Sequence, residues 1–206
     1  MNAMHCIQAE QVAPQAWRNG GGQTRELLAW PDTQNWCLRI SRADIAASGP
    51  FSAFAGVQRW FAVLSGHGLV LHMPTPDRHT LDDLLLPGHI PVHFDGGLAP
   101  GCTLIDGPTQ DLNLMARGGQ ACMLAVDTDQ PWHSNHTMCG LYTTHSGVWS
   151  DGQQTHVLPA HSLLWLKHTP ATPMQFRFDD TAPDDAHPPL AFWLGYTPET
   201  SPCPRS

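Results

Sequence analysis

The sequence predicts an all-β protein built from short antiparallel strands, and three observations carry that expectation. Nineteen prolines and eighteen glycines interrupt the chain at short intervals. The segments between them are roughly five to eight residues long and rich in Val, Leu, Phe and Trp, the spacing of a sandwich or barrel. No segment sustains the 3.6-residue periodicity of an amphipathic helix. The chain has 206 residues and 41% hydrophobic content, enough for a real core. About one hundred residues per half suits one small β-barrel each.

In chain order, the first half offers strands at WCLRIS (36–41), WFAVLSG (60–66), GLVLHM (68–73), IPVHF (90–94) and CTLID (102–106). The second half offers ACMLAVD (121–127), GLYTTH (140–145), THVLP (155–159), SLLWLK (162–167), MQFRFD (174–179) and LAFWLGY (190–196). Each is dominated by aliphatic, aromatic or β-branched residues, which fit a pleated, half-buried surface, and Gly, Pro or Asp turns bound them. SGHG (65–68) and SDGQ (150–153) read as hairpin turns. TLDDLLL (80–86) reads as at most one short helix, and the Asp-rich DDTAPDDAHPP (179–189) as an exposed loop. The seam is placed at ARGGQ (116–120), dividing the chain into halves 1–115 and 116–206.

The formal charge of -8 excludes a nucleic-acid or anionic membrane partner, because both need a basic face. The distribution is more specific than the sum. Arg18, Arg25, Arg39, Arg42 and Arg59, half of the ten cations, lie in the first sixty residues against four acids, Glu10, Glu26, Asp32 and Asp44. Lys167 is the only lysine, and arginine suits planar, bidentate recognition of carboxylate or phosphate; the plainer reading is that these arginines decorate a surface. Six separated cysteines without a C-x-x-C pair suit reduced, mostly buried thiols. No leader or membrane-spanning stretch is recognisable, so a cytoplasmic protein is expected, and a homo-oligomer is compatible with the sequence.

Thirteen histidines raise the question of a metal. The tightest group, WHSNHTMCG, holds His133, His136 and Cys139 at spacings that share a face only on a helix, whereas the composition favours extended structure. No H-x-H or H-E-x-x-H pattern appears, so no metal and no cofactor are expected. The chain also lacks a G-x-S-x-G elbow and a P-loop.

Polar residues in apolar company remain. In WCLRIS the alternation puts Arg39 and Ser41 on one face and Trp36, Leu38 and Ile40 on the other. GVQRWFAVLSG sets Arg59 at the mouth of an apolar strand, and GPTQDLNLMARGG interleaves Asp111 and Asn113 with Leu112, Leu114 and Met115. Asx turns would equally explain Asp111 and Asn113. In WRNGGGQTRE, Gly20, Gly21 and Gly22 can form an anion-binding nest flanked by Asn19, Thr24 and Arg25. A glycine bulge between two strands, with Thr24 and Glu26 continuing the second, is the alternative.

These motifs, WRNGGGQTREL (17–27), WCLRISRADIAASGPFSAFAGVQRWFAVLSGHGLVL (36–71), FDGG (94–97) and GPTQDLNLM (107–115), resemble in order and spacing the HutD/Ves family of bacterial proteins. The resemblance implies a bicupin, two cupin barrels of the double-stranded β-helix type in one chain. It implies a cytoplasmic protein associated with histidine utilisation that binds an anionic pathway metabolite, formylglutamate or urocanate, and moderates flux, without an established reaction. It also implies no metal, since His67 and His72 of GHGLVLHM lack the His-x-His and Glu partners that cupin metals use. By matching position it designates Asn19, Thr24, Arg25, Glu26, Arg39, Ser41, Arg59, Asp111 and Asn113 as ligand-binding; Gly20, Gly21 and Gly22 join them through the nest. Two other functions stay open: a metal-independent enzyme on the same metabolite, with Glu26 or Asp111 as acid or base, and an interaction or assembly protein with a vestigial pocket.

Overall fold

Strands, numbered β1 to β18 in chain order, supply the regular structure of the computed structural model, with two 3-10 turns and no α-helix among the described residues, 4–77, 79–179 and 188–199. The chain divides into two units, one of residues 13–118 and one of 119–199 together with 4–12.

The unit of residues 13–118 has two sheets. The larger runs β2 (Gln15–Ala16), β3 (Gly22–Trp30), β4 (Leu38–Ile45), β11 (Thr109–Ala116), β6 (Gln58–Ser65) and β9 (Val92–Asp95). The smaller runs β5 (Gly49–Pro50), β10 (Gly101–Leu104), β7 (Leu69–Pro74) and β8 (Thr80–Leu85). Neighbours pair antiparallel throughout. Ile45, Phe61, Val63 and Phe94 from the larger sheet pack against Leu69, Leu71, Leu85 and Cys102 from the smaller, forming one apolar layer. Side chains alternate across a strand. Strand β6, which sends Phe61 and Val63 into this layer, therefore sends Arg59 to its end, while β4 and β11 turn Leu38, Ile40, Leu112 and Leu114 to the opposite, equally buried face.

The second unit repeats the scheme. A five-stranded sheet runs β1 (Met4–Gln8), β16 (Ser162–Leu166), β13 (Met138–Thr143), β18 (Ala191–Thr197) and β12 (Gln120–Ala125). A three-stranded sheet runs β15 (Thr155–Leu158), β14 (Gly147–Ser150) and β17 (Gln175–Phe178). Leu141, Leu164, Leu166 and Trp193 meet Trp149, Leu158 and Phe176 in its core.

The architecture is all-β, as the punctuation predicts, with differences in particular segments. TLDDLLL is no helix: Thr80–Leu85 forms β8, in register with β7 from Leu69 opposite Leu85 to Pro74 opposite Thr80. Strand pairing overrides the strong helix propensity of the leucines, and the exposed aspartates suit an edge strand. Residues 109–116 do not form Asx turns; they are the central strand β11, paired on both sides. A division at residue 115 would fall inside β11, whereas the chain crosses between units near Gly118 and Gly119, both with positive φ. Residues 4–8 pair along β16 and so belong to the second unit. Cys6, Cys102, Cys122 and Cys139 are free thiols, but Cys37 is disulfide-bonded, against the expectation of reduced thiols. The 179–189 loop lies mostly outside the described residues.

Candidate functional site

Strand register assembles the site. On the face of the larger sheet that looks into the unit, Arg39 of β4, Met115 of β11 and Arg59 of β6 stand opposite one another in one row. The next row is Glu26, Ser41, Asn113 and Phe61, and the third is Thr24, Ala43, Asp111 and Val63. Polar groups therefore occupy the inward positions of three adjacent strands where an ordinary sheet would present aliphatic ones. They line a cavity of about 620 Å³, walled also by Gln15, Ala16, Trp17, Arg18 and Asn19 from β2 and the following turn, and by Pro50, Phe51, Ser52 and Phe54. The volume is in the range of small-molecule sites.

Arg59 dominates its inner end. The residue is only 5% exposed, and its guanidinium lies over three rings, 5.4 Å from the centroid of Phe51, 5.8 Å from Phe54 and 5.1 Å from Phe94. Cation–π attraction of this kind contributes about 0.5 to 2 kcal/mol per favourable contact. Nη2 donates to Asn113 Oδ1 at 2.7 Å, while Nε and Nη1 have no hydrogen-bond partner among the described residues. Burial lowers its pKa to about 10, partly offset by nearby Asp111, with Arg39 lowering it further. The group stays charged at neutral pH.

Held by Arg59, Asn113 turns its amide to donate from Nδ2 to Asp111 Oδ1. Asp111 is 1% exposed and has no ion pair among the described residues. Burial pushes its carboxyl up to about 8, although the Arg59 charge pulls down, Asp44 pushes up and the Asn113 bond pulls down. Burial prevails because a carboxylate loses more solvation there than a charge reached through an intervening amide restores.

Arg39 is tied elsewhere. Its Nε lies 2.8 Å from Glu26 Oε2, a charge contact outside hydrogen-bond geometry, with both side chains about one-fifth exposed. At the rim, Trp17 Nε1 donates to Thr24 Oγ1 at 2.7 Å, fixing both residues.

Of the residues expected from sequence, Asn19, Thr24, Arg39, Ser41, Arg59, Asp111 and Asn113 meet on the cavity, and Glu26 adjoins it through Arg39. Arg25 does not join them. It occupies the intervening position of β3, directly opposite Arg42, so alternation turns it to the other face. Nor do the glycines form a nest among the lining residues. Gly20 N–H donates to Trp17 O and Gly21 N–H to Asn19 Oδ1, each at 3.0 Å, closing a turn between β2 and β3. Gly22 is needed for close approach, since a Cβ there would collide with the Asp44 carbonyl and crowd the Trp17 ring.

Sequence reasoning missed Gln15, Ala16, Trp17, Met115 and the segment 50–54. Trp17 lay inside the glycine motif. The two phenylalanines of GPFSAF, flanked by Gly and Pro, carried the available signal for a ring-lined loop. Among the described residues no group of three or more His, Cys, Asp and Glu could hold a metal ion: Cys139 lies in the core with Sγ 3.8 Å from Met174 Sδ, and His136 Nδ1 contacts Thr197 Oγ1 at 3.3 Å. No helix of the described chain is long and apolar enough to cross a membrane.

Comparison with known proteins assigns the family and the fold. The chain is 33% identical over 140 residues to protein Ves of Citrobacter koseri, covering 67% of this chain and 71% of that one. Its structure superposes on HutD from Pseudomonas fluorescens SBW25, solved in a formate condition, with TM-score 0.76 and 26% identity over 94% of this chain and 99% of that one. Likeness of fold alone extends to Bacillus subtilis oxalate decarboxylase OxdC, with TM-score 0.60 and 8% identity over 98% of this chain and 79% of that one, which makes the fold cupin-like. The HutD family model matches residues 9–182, a span that includes every strand lining the cavity, so the chain belongs to the HutD family.

Proposed function

We propose that the chain binds a small anionic metabolite in the cavity of its first unit and, as a cytoplasmic protein, moderates histidine utilisation. Each unit is taken as one cupin-type barrel, only the first bearing this site. The observation that carries the reading is Arg59: a charged guanidinium 5% exposed, lining a cavity, with Nε and Nη1 lacking partners among the described residues. A buried charge with two open donors is costly, so a carboxylate that meets them completes an interaction the fold leaves open. Aromatic rings around the guanidinium exclude water and strengthen that attraction. Formylglutamate and urocanate are the anions that the sequence resemblance implies, and they are the candidates proposed here for a chain of the HutD family.

Catalysis on the same metabolite is the second reading, favoured by one observation: Asp111, held near pH 8 inside the cavity, has the proton affinity of a general acid or base at working pH. One experiment separates the two. Wild-type protein is titrated calorimetrically with N-formyl-L-glutamate and with urocanate, and each mixture is followed for hours by NMR. Saturable binding with unchanged ligand is the expected result; turnover would replace the binding reading with the enzymatic one, and absence of binding to both would remove the two together.

A further inference from the structure

Asp111 is the acid that lines the cavity, and its carboxyl is reached by a hydrogen bond from an amide, with no ion pair among the described residues. Glu26 has Arg39 at 2.8 Å, and Asp44 takes hydrogen bonds from Gln23 and Gln110 at 2.9 and 2.8 Å. Between Asp111 and Arg59 stands Asn113, which spends its carbonyl on Arg59 and its amide on Asp111 Oδ1. Oδ2 makes no hydrogen bond among the described residues, although Asp111 lines the cavity. We infer that Asp111 is a specificity-determining residue of this cavity: it stands there as a neutral carboxylic acid and donates its proton, in a hydrogen bond, to a carboxylate of the ligand. This rests on the reading of the cavity as an anion site.

The chemistry follows from the charges that face Asp111. Arg59 approaches from β6, Arg39 and Asp44 from β4, Glu26 from β3, Arg18 from the rim, and the Cys102 thiol from β10 is held neutral, raised to about 11. Arg39 and Glu26 offset each other, which leaves Arg59 as the cation nearest the buried row. An ionised Asp111 would compete with the ligand for Arg59 and repel it; a protonated one adds a second donor and leaves Arg59 uncommitted. The ligand class is therefore a carboxylate that accepts from both groups. An amide analogue loses the charge that Arg59 needs, and an ammonium group would set a second cation beside Arg59.

Linkage sets the test. The anion stabilises the protonated form of Asp111, so its midpoint rises on binding. Above the free midpoint, binding takes up a proton and affinity falls by up to tenfold per pH unit. N-formyl-L-glutamate is a suitable probe because both its carboxylates remain ionised throughout this range; Arg59, lowered to about 10, contributes part of the uptake at the higher pH, and Asp111→Asn measures that part. The Asp111 carboxyl is followed by carbon NMR in the ligand-free protein, assigned against Asp111→Asn, and the probe is titrated calorimetrically at pH 6.5 and pH 9.5 in buffers of different ionisation enthalpy. Expected are a free midpoint near 8, little proton uptake at the lower pH, uptake approaching one proton at the higher, and a steep affinity decline with pH that Asp111→Asn flattens. A midpoint in the ordinary range near 4, or binding without proton uptake at pH 9.5, overturns the inference and leaves the anion site standing. Failure of the probe to bind at either pH, with Asp111 still titrating near 8, overturns the anion site and this role with it.

Discussion

Arg59 and Asp111 both occur at depths where charge is expensive, and they answer that cost differently: Arg59 stays charged among three rings, while Asp111 retains its proton. The stability consequence of the second has a definite sign. The folded midpoint, about 8, lies above the ordinary carboxylate value of about 4. Between these the folded chain holds a proton that the unfolded chain has released, so stability falls as pH rises from 4 to 8. Asp111→Asn removes that slope, and at pH 8 its Tm should exceed that of the wild type by a few degrees, about 2 to 4 °C per kcal/mol recovered. Thermal melts of both proteins at pH 5 and pH 8 check this; a variant less stable at both values would contradict it. Arg39, which lines the cavity, and Arg25, which does not, should also separate by role. Arg39→Gln strands Glu26 and should cost about 1 kcal/mol or less, given the partial exposure of the pair. Arg25→Gln, on the other face of β3, should leave ligand affinity within about twofold in calorimetry.

Strand β4 was legible because its apolar residues alternate, which sets Arg39 and Ser41 on one face, and β6 because Trp60 to Leu64 is one apolar run with Arg59 at its mouth. Strand β11 was not read as a strand. Its inward residues, Asp111 and Asn113, are the kind that favour turns, and only their pairing with β4 and β6 overrides that preference. A cavity inverts the usual rule of polar out and apolar in. Thr109–Ala116 therefore looks like a loop from composition, although its apolar positions still alternate. The glycine motif was read for its freedom to bind anions, whereas its N–H groups close a turn that brings Trp17 over Thr24. Gly22→Ala should accordingly destabilise by about 1 to 3 kcal/mol through collision with the Asp44 carbonyl. Gly20→Ala, strained by its φ of 71° but meeting nothing within 4 Å, should cost about 1 to 2 kcal/mol. Urea denaturation of both variants measures the difference; equal wild-type midpoints would mean that the turn tolerates a side chain.

For the molecule as a whole, all-β character and a division into two units were readable from punctuation and length, but the path of the chain between them was not. Residues 4–8 pair with β16, far away in sequence, and no local pattern announces a pairing of that separation. Deleting residues 1–8 strips one strand from the five-stranded sheet and should speed hydrogen exchange at amides of Leu163 and Leu164, leaving those of Leu112 and Leu114 unchanged. Function in the first unit is most directly decided by Arg59→Gln, titrated with N-formyl-L-glutamate and urocanate and melted without ligand. A ligand anchor predicts affinity lower by about tenfold to a hundredfold, matching about 1.5 to 3 kcal/mol, with stability unchanged or higher because an incompletely partnered buried charge is gone. Unchanged affinity together with a stability loss of several kcal/mol would contradict it, and would make Arg59 a structural prop of the phenylalanine cluster.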